Sequence, residues 1–283
     1  MIVNMKKMLS DAENNHYAVP QFNINNLEWT RFILEECESL KTPVILGVSE
    51  GATKYMGGFY TVCNLVKGLI KDLNITVPVC LHLDHGSSFE NCVKAIDNGF
   101  TSVMIDASKY NIAENIKITK QVVDYARLKN VTVEAEVGAV GGEEDGVANE
   151  LAYAKIEDAV KIVEDTNIDF LAPALGSVHG IYKGEPKLDF ERMVKIHKLV
   201  NIPLVLHGGS GIPDDLIKKA ISCGICKINI NTELQISWSK GVRQFLNDDQ
   251  KVYDPRKIIK AGEKAMKEMI KEKVILFGSN DRA

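Results

Sequence analysis

The sequence contains no apolar run approaching membrane-spanning length and no excess of basic residues: 34 Lys and Arg face 38 Asp and Glu, for a net charge of -4. The first absence argues against a transmembrane segment. The second argues against a nucleic-acid or anionic-membrane surface, which needs a basic stripe, so an anionic ligand would depend on local donors. Cysteine is sparse as well. Cys37, Cys63, Cys80, Cys92, Cys223 and Cys226 are too scattered for a disulfide scaffold, and reduced thiols are expected. Cys223-Gly-Ile-Cys226 has the spacing of half a zinc site, but there is no second pair and the segment leads into a strand, so packing is its expected role. Met1 to Ser10 carries two lysines and no signal-peptide core, which predicts a cytoplasmic protein.

The chain does have material for a large core: 45% of its 283 residues are hydrophobic and 25% charged, the balance of an ordinary globular protein. Its length admits two ordinary domains or one α/β barrel. Short β-branched runs alternate with longer amphipathic segments from end to end, the pattern of parallel strands covered by crossover helices. Eight strands are predicted, at Ala18 to Asn23, Pro43 to Ser49, Val77 to Leu83, Ser102 to Asp106, Val131 to Val137, Phe170 to Leu175, Pro203 to Leu206 and Lys227 to Asn231. Helices are expected between them at Leu27 to Leu40, Gly58 to Leu73, Ala113 to Lys129 and Asp189 to Leu199, and one or two more in the tail from Asp254 to Lys273. Eight strand-helix units favour an α/β fold of the closed (β/α)8 type, one domain over residues 1–283 with additional C-terminal helices. A doubly wound sheet is the alternative, but no G-x-G-x-x-G follows the first strand.

Barrel active sites form beyond the strand C-termini. Three of the six histidines, His85, His179 and His207, fall there. Three neutral imidazoles with a position left for substrate have the composition of a catalytic zinc site. His16, His82 and His197 lack this placement and are expected to be structural or superficial. Asp84 adjoins His85 and is a candidate general acid/base, with ligand orientation as the alternative. Glu134 and Glu136, two apart on strand five, point the same way and require partners, as ligands or as supports of ligands. Gly208-Gly209-Ser210-Gly211 after strand seven and Asn229-Ile-Asn231-Thr232 at the end of strand eight suit a phosphate, where a glycine turn and a helix N-terminus converge. The acidic loop Gly138 to Asn149 carries possible hinges at Gly141-Gly142.

Gln21-Phe22-Asn23, His82-Leu-Asp84-His85-Gly86, Glu134-Ala-Glu136, Gly141-Gly-Glu-Glu144-Asp145, His179-Gly180 with Lys183, His207-Gly-Gly-Ser-Gly211, Asn229-Ile-Asn231-Thr232 and Tyr-Asp-Pro-Arg256 together resemble class II fructose-bisphosphate aldolases along essentially the whole chain, most closely the shorter bacterial branch. The resemblance implies zinc, or cobalt, iron or manganese, held by His85, His179 and His207, with Glu136 as an occasional ligand. It implies that Asp84 exchanges the C4 hydroxyl proton of a bisphosphorylated ketose and that Glu144, on the mobile glycine loop, handles the C3 proton. Gly180, Lys183, Gly208, Gly209, Ser210, Asn229 and Thr232 would surround the phosphate near C1, with Asn23 and Ser49 nearby and a sodium or potassium ion beside it. Arg256 would reach the other phosphate across the interface of a homodimer or higher oligomer. Tagatose-bisphosphate enzymes resemble this chain too, but usually carry alanine where Asn231 and Gly209 stand.

Other chemistries remain as alternatives. A Schiff-base aldolase needs a lysine at a strand's C-terminal end, whereas Lys227 is expected to begin its strand and Lys183 lies in a loop. Metal-dependent hydrolase barrels usually place paired histidines on strand one, where this chain has Gln-Phe-Asn. A non-catalytic binding barrel would be expected to have lost a ligand or Asp84.

Overall fold

The structure is a computed structural model that describes residues 2–144, 147–182 and 184–283, with only the backbone of 143, 144 and 147–149. The first element is a helix, α1 (Lys6–Asn15), followed by β1 (Val19–Asn23), α2 (Leu27–Ser39), β2 (Val44–Val48), α3 (Glu50–Tyr55) and α4 (Phe59–Asp72). Then come β3 (Val79–Gly86), α5 (Phe89–Asp97), β4 (Ser102–Ile105), α6 (Ile112–Arg127) and β5 (Thr132–Val137). The short strands β6 (Gly141–Glu144) and β7 (Val147–Asn149) precede α7 (Ile156–Thr166), β8 (Phe170–Pro173), β9 (Val178–His179), α8 (Phe190–Val200), β10 (Leu204–Leu206), α9 (Asp214–Ser222) and β11 (Ile225–Ile230). The chain closes with α10 (Thr232–Asp248), α11 (Pro255–Lys260) and α12 (Glu263–Phe277).

Eight of these strands close into a parallel barrel in the order β1-β11-β10-β8-β5-β4-β3-β2, and all eight lie within a few residues of the predicted runs. Side chains from Asn26, Ser49, Ser88, Asn111 and Asp189 accept backbone N–H groups at the starts of α2, α3, α5, α6 and α8, satisfying donors that helix starts leave open. The outward residues of the strands, such as Leu46, Leu81, Val103, Ala135, Leu171 and Ile228, form one large buried layer with the helices. α12 packs against α2 and α10 and completes the ring near β1.

The helix α1 was not anticipated. It lies across the N-terminal end of the barrel, where Met5, Met8, Leu9 and Ala12 form a second apolar cluster with the inward residues Val19, Ile45, Cys80, Phe170 and Val205. The acidic segment after β5 is also more regular than expected: β6 and β7 pair antiparallel, and β6 pairs in parallel with β9 at Gly141↔Val178 and Gly142↔His179. No described helix is long and apolar enough to cross a membrane.

Candidate active site

Strand alternation carries polar side chains up the inside of the barrel. On β3, Cys80, His82 and Asp84 follow at intervals of two; on β5, Thr132, Glu134 and Glu136 do so; on β11, Lys227 and Asn229. Strict alternation would then turn His85 away from Asp84. The structure avoids this with an irregularity: β3 pairs with β4 at Leu83↔Val103 and next at Gly86↔Ile105, leaving an extra residue between. His85 sits there with φ 50°, a conformation unusual outside glycine. The bulge lets neighbouring residues serve one site, and β3 runs on to Gly86, so His85 lies within its strand and not beyond it as expected. Gly86 is required by the close approach, because a Cβ there would stand 2.6 Å from the Met104 carbonyl oxygen.

His85, His179 and His207 converge, each offering a ring nitrogen within 4.8 Å of the others'. His207, just past β10, is 2% exposed and places Nδ1 2.9 Å from His85 Nε2. His179 is set by the pairing of β9 with β6, a contact so close that a Cβ on Gly142 would meet the His179 carbonyl oxygen at 2.1 Å. Asp106, which sequence reasoning missed, accepts from His85 Nδ1 at 3.0 Å. Its position just past β4 was the available signal. Burial would raise the Asp106 carboxyl, but the His85 hydrogen bond and charge hold it below the ordinary range.

Glu136 differs. Its Oε1 accepts from the Val140 N–H at 3.3 Å, while Oε2 is buried without a hydrogen-bond partner among the described residues, 4.0 Å from His207 Nδ1. Burial and the nearby Asp106 push its pKa well above the carboxylate range. An orphaned carboxylate oxygen beside three imidazoles fits a divalent cation. His85, Asp106 and Glu136 form a second group of the same compactness, sharing His85 with the first.

Asp84 is buried and accepts from the amides of Asn23 at 2.9 Å and Asn229 at 3.4 Å. Burial opposes its ionisation, yet His85, His207, Lys227 and His82 together hold its pKa below the ordinary value. It therefore stands as a carboxylate, ready to accept a proton.

The expected phosphate corner also assembles. Gly208 has φ 63°, and a Cβ there would strike the Val178 carbonyl oxygen at 2.3 Å. Gly209 donates its N–H to the Asn229 carbonyl, and Ser210 Oγ accepts from Glu233 N at 3.4 Å, tying the glycine turn to the first turn of α10. Asn231 precedes that helix without capping it, its Oδ1 buried and without a hydrogen-bond partner among the described residues, and Thr232 is the first helical residue. Gly180, with φ 84°, follows His179. Tyr182, another residue missed from sequence, holds this corner by accepting from Val178 N at 3.1 Å and donating to the Gly208 carbonyl at 2.9 Å. Burial pushes its phenol up to about 12, so it remains a donor. Ser49 caps α3 by accepting from Ala52 N at 3.1 Å.

Other expected residues are placed differently. Lys183 lies outside the described residues, as does the Glu144 side chain, whose backbone ends β6. Arg256 is not gathered into the cluster: its guanidinium is 90% exposed and bonds Asp254. Lys227 is the third residue of β11 rather than its first, while His82 is fully buried inside the barrel, the structural one of its two expected roles. All six cysteines are free, five of them buried. A cavity of about 1000 Å³ opens at the opposite end, beside α1, but Lys7 and Lys129 on its wall already pair with Asp11 and Asp97, and none of the histidine cluster lines it.

The family model described as fructose-bisphosphate aldolase class-II matches residues 3–282. The fructose-bisphosphate aldolase of Geobacillus stearothermophilus is 60% identical over 283 residues, covering 100% of this chain and 99% of that protein. The fructose-bisphosphate aldolase of Staphylococcus aureus is 58% identical with the same coverage. Among solved structures, the YdjI aldolase of Escherichia coli K12 superposes with a TM-score of 0.87 at 36% identity, covering 100% of both chains.

Proposed function

This chain belongs to the class II fructose-bisphosphate aldolase family, a metal-dependent family of lyases, and from that membership we propose that it reversibly cleaves fructose 1,6-bisphosphate into dihydroxyacetone phosphate and glyceraldehyde 3-phosphate, the aldol step of glycolysis and gluconeogenesis. The observation that supports the reading most directly is the convergence of three imidazoles and an ionised Asp84 at one mouth of the barrel. We assign residues 1–283 to one barrel domain acting in the cytoplasm.

In this reading His85, His179 and His207 hold zinc, with cobalt, iron or manganese as substitutes, and Glu136 serves as an alternate ligand. A cation there supplies Lewis-acid stabilisation of the negative charge that develops on the C2 oxygen. Asp84, held by Asn23 and Asn229, removes the C4 hydroxyl proton as the C3–C4 bond breaks. The electron pair left at C3 is then protonated, a step assigned to Glu144. The backbone N–H groups of Gly208 and Ser210, that of Gly209 being taken by the Asn229 carbonyl, and those at the start of α10, together with Gly180, Lys183, Ser49 and Thr232, bind the phosphate near C1, with a sodium or potassium ion beside it. The open acceptors Asn229 Oδ1 and Asn231 Oδ1 suit sugar hydroxyls. Arg256, turned to solvent and steadied by Asp254, reaches the second phosphate in a neighbouring copy, which makes a homodimer or larger oligomer part of the working site.

Fructose is favoured over tagatose at Gly209. A Cβ there would lie 2.5 Å from Ile228 Cγ2, so the alanine usual in tagatose enzymes does not fit this corner. The test is cleavage of both bisphosphates by the purified protein before and after chelation and zinc readdition. Preferential fructose cleavage that chelation abolishes and zinc restores is expected. A preference for tagatose would overturn the sugar assignment, and cleavage indifferent to chelation would overturn the metal.

A further inference from the structure

A buried charge pair beneath the histidine cluster takes no part in the proposed reaction. Lys227 of β11 and Glu134 of β5 are both fully buried, with Nζ 2.6 Å from Oε2. Such a pair is weak as a stabiliser, because each charge loses its hydration. Its geometry points to another use. The second carboxylate oxygen, Glu134 Oε1, lies 2.8 Å from His207 Nε2. With the Lys227 ammonium 2.6 Å from its Oε2, Glu134 is held as a carboxylate. A carboxylate only accepts, so His207 carries its proton on Nε2 and leaves the lone pair on Nδ1. That atom faces His85 Nε2 at 2.9 Å and Glu136 Oε2 at 4.0 Å.

The remaining neighbour does not disturb the arrangement. Ser102 Oγ donates to the Thr132 carbonyl at 3.2 Å, so it accepts from His82 Nδ1, 2.9 Å away. His82 Nε2, 3.8 Å from Glu134 Oε2, is therefore unprotonated, and burial holds the His82 pKa down at about 3. His82 stays neutral and does not compete with Lys227 or His207 for the carboxylate.

We infer that Lys227 and Glu134 are positioning residues that lock His207 in its Nε2–H tautomer and thereby make Nδ1 the atom it presents to a divalent cation. The inference rests on the proposed metal site. Neither residue touches substrate in this scheme; Lys227 polarises and anchors Glu134, which orients and increases the basicity of the ring.

Two measurements test it. In zinc-loaded protein labelled with ¹⁵N-histidine, the His207 resonances, assigned by their loss in His207→Asn, should show a protonated Nε2 and an unprotonated Nδ1. The reverse pattern overturns the proposal without requiring any variant of the pair to fold. In the double variant Glu134→Leu/Lys227→Met, which removes both charges together, cobalt binding by dye competition should weaken about 10–100-fold, with an altered visible spectrum of the bound cobalt. A lower Tm with unchanged cobalt affinity and spectrum would mean a purely structural pair and overturn the lock. If the unmodified protein binds no cobalt that His179→Ala removes, the metal site itself falls and the lock with it, an outcome distinct from equal binding by both proteins.

Discussion

The two mouths of the barrel are built from the same strands and have opposite characters. At the N-terminal end the inward positions carry Val19, Ile45, Cys80, Phe170 and Val205, and α1 seals them with Met5, Met8, Leu9 and Ala12. Two to four residues further along β1, β3 and β10, or just past the strand end, stand Asn23, Asp84 and His207, and at the same end β5 and β11 contribute Glu136 and Asn229. The contrast teaches where the chain places its costs. Apolar burial at one end contributes stability at about 25 cal/mol per Å², while the other end holds oriented carboxylates, imidazoles and amides that are justified by a ligand rather than by folding.

The sharpest way to break that contrast is at the polar mouth. His179→Ala should remove the cation and reduce kcat/KM by about 10³-fold or more, since a Lewis acid is worth several kcal/mol, while unfolding of the chelated protein changes little. Retained metal with near-normal turnover would remove His179 from the ligand set. Next, Glu144→Ala should leave cation binding intact and slow exchange of the C3 proton of dihydroxyacetone phosphate about 10²–10⁴-fold, the usual range for a lost acid/base; unchanged exchange would free Glu144 of its role. The apolar mouth should respond in the opposite way: Leu9→Ala, fully buried under the barrel, should lower stability by about 2–5 kcal/mol in denaturant titrations with kcat unaltered. An Arg256→Ala protein should keep its stability and raise KM for the bisphosphate about tenfold, the scale of one lost charged hydrogen bond, and an unaltered KM would sink the contact between copies.

The smallest effect has a defined pH sign. Because the folded pKa of Glu136 is raised, its contribution is fully present below the unfolded value of about 4.3 and is lost as pH rises toward the folded one. In chelated protein Glu136→Gln should therefore raise Tm at pH 7, by about 2–4 °C for each kcal/mol relieved, and leave it nearly unchanged at pH 4. Equal shifts at both pH values would show that Glu136 carries no burial penalty.

Local patterns made much of this legible. The eight β-branched runs announced the barrel, and the placement of His85, His179 and His207 at strand ends announced the cluster, since both depend on periodicity that a linear reading can follow. Lys227 was misread as the start of its strand because the boundary of a buried run leaves little mark in sequence, and Asp106 and Tyr182 carried no signal beyond their positions.

The sequence by itself determined that this chain forms a parallel barrel with imidazoles and a glycine turn at one rim, because strand period, turn chemistry and strand-end position are local properties. Only the tertiary structure decided that a bulge at His85 turns two neighbouring side chains into one site, that Glu134 spans the barrel between Lys227 and His207, and that α1 closes the opposite end. Those features arise from register and barrel closure, which bring residues such as Glu134 and Lys227, 93 positions apart, into contact and leave no periodic trace along the chain.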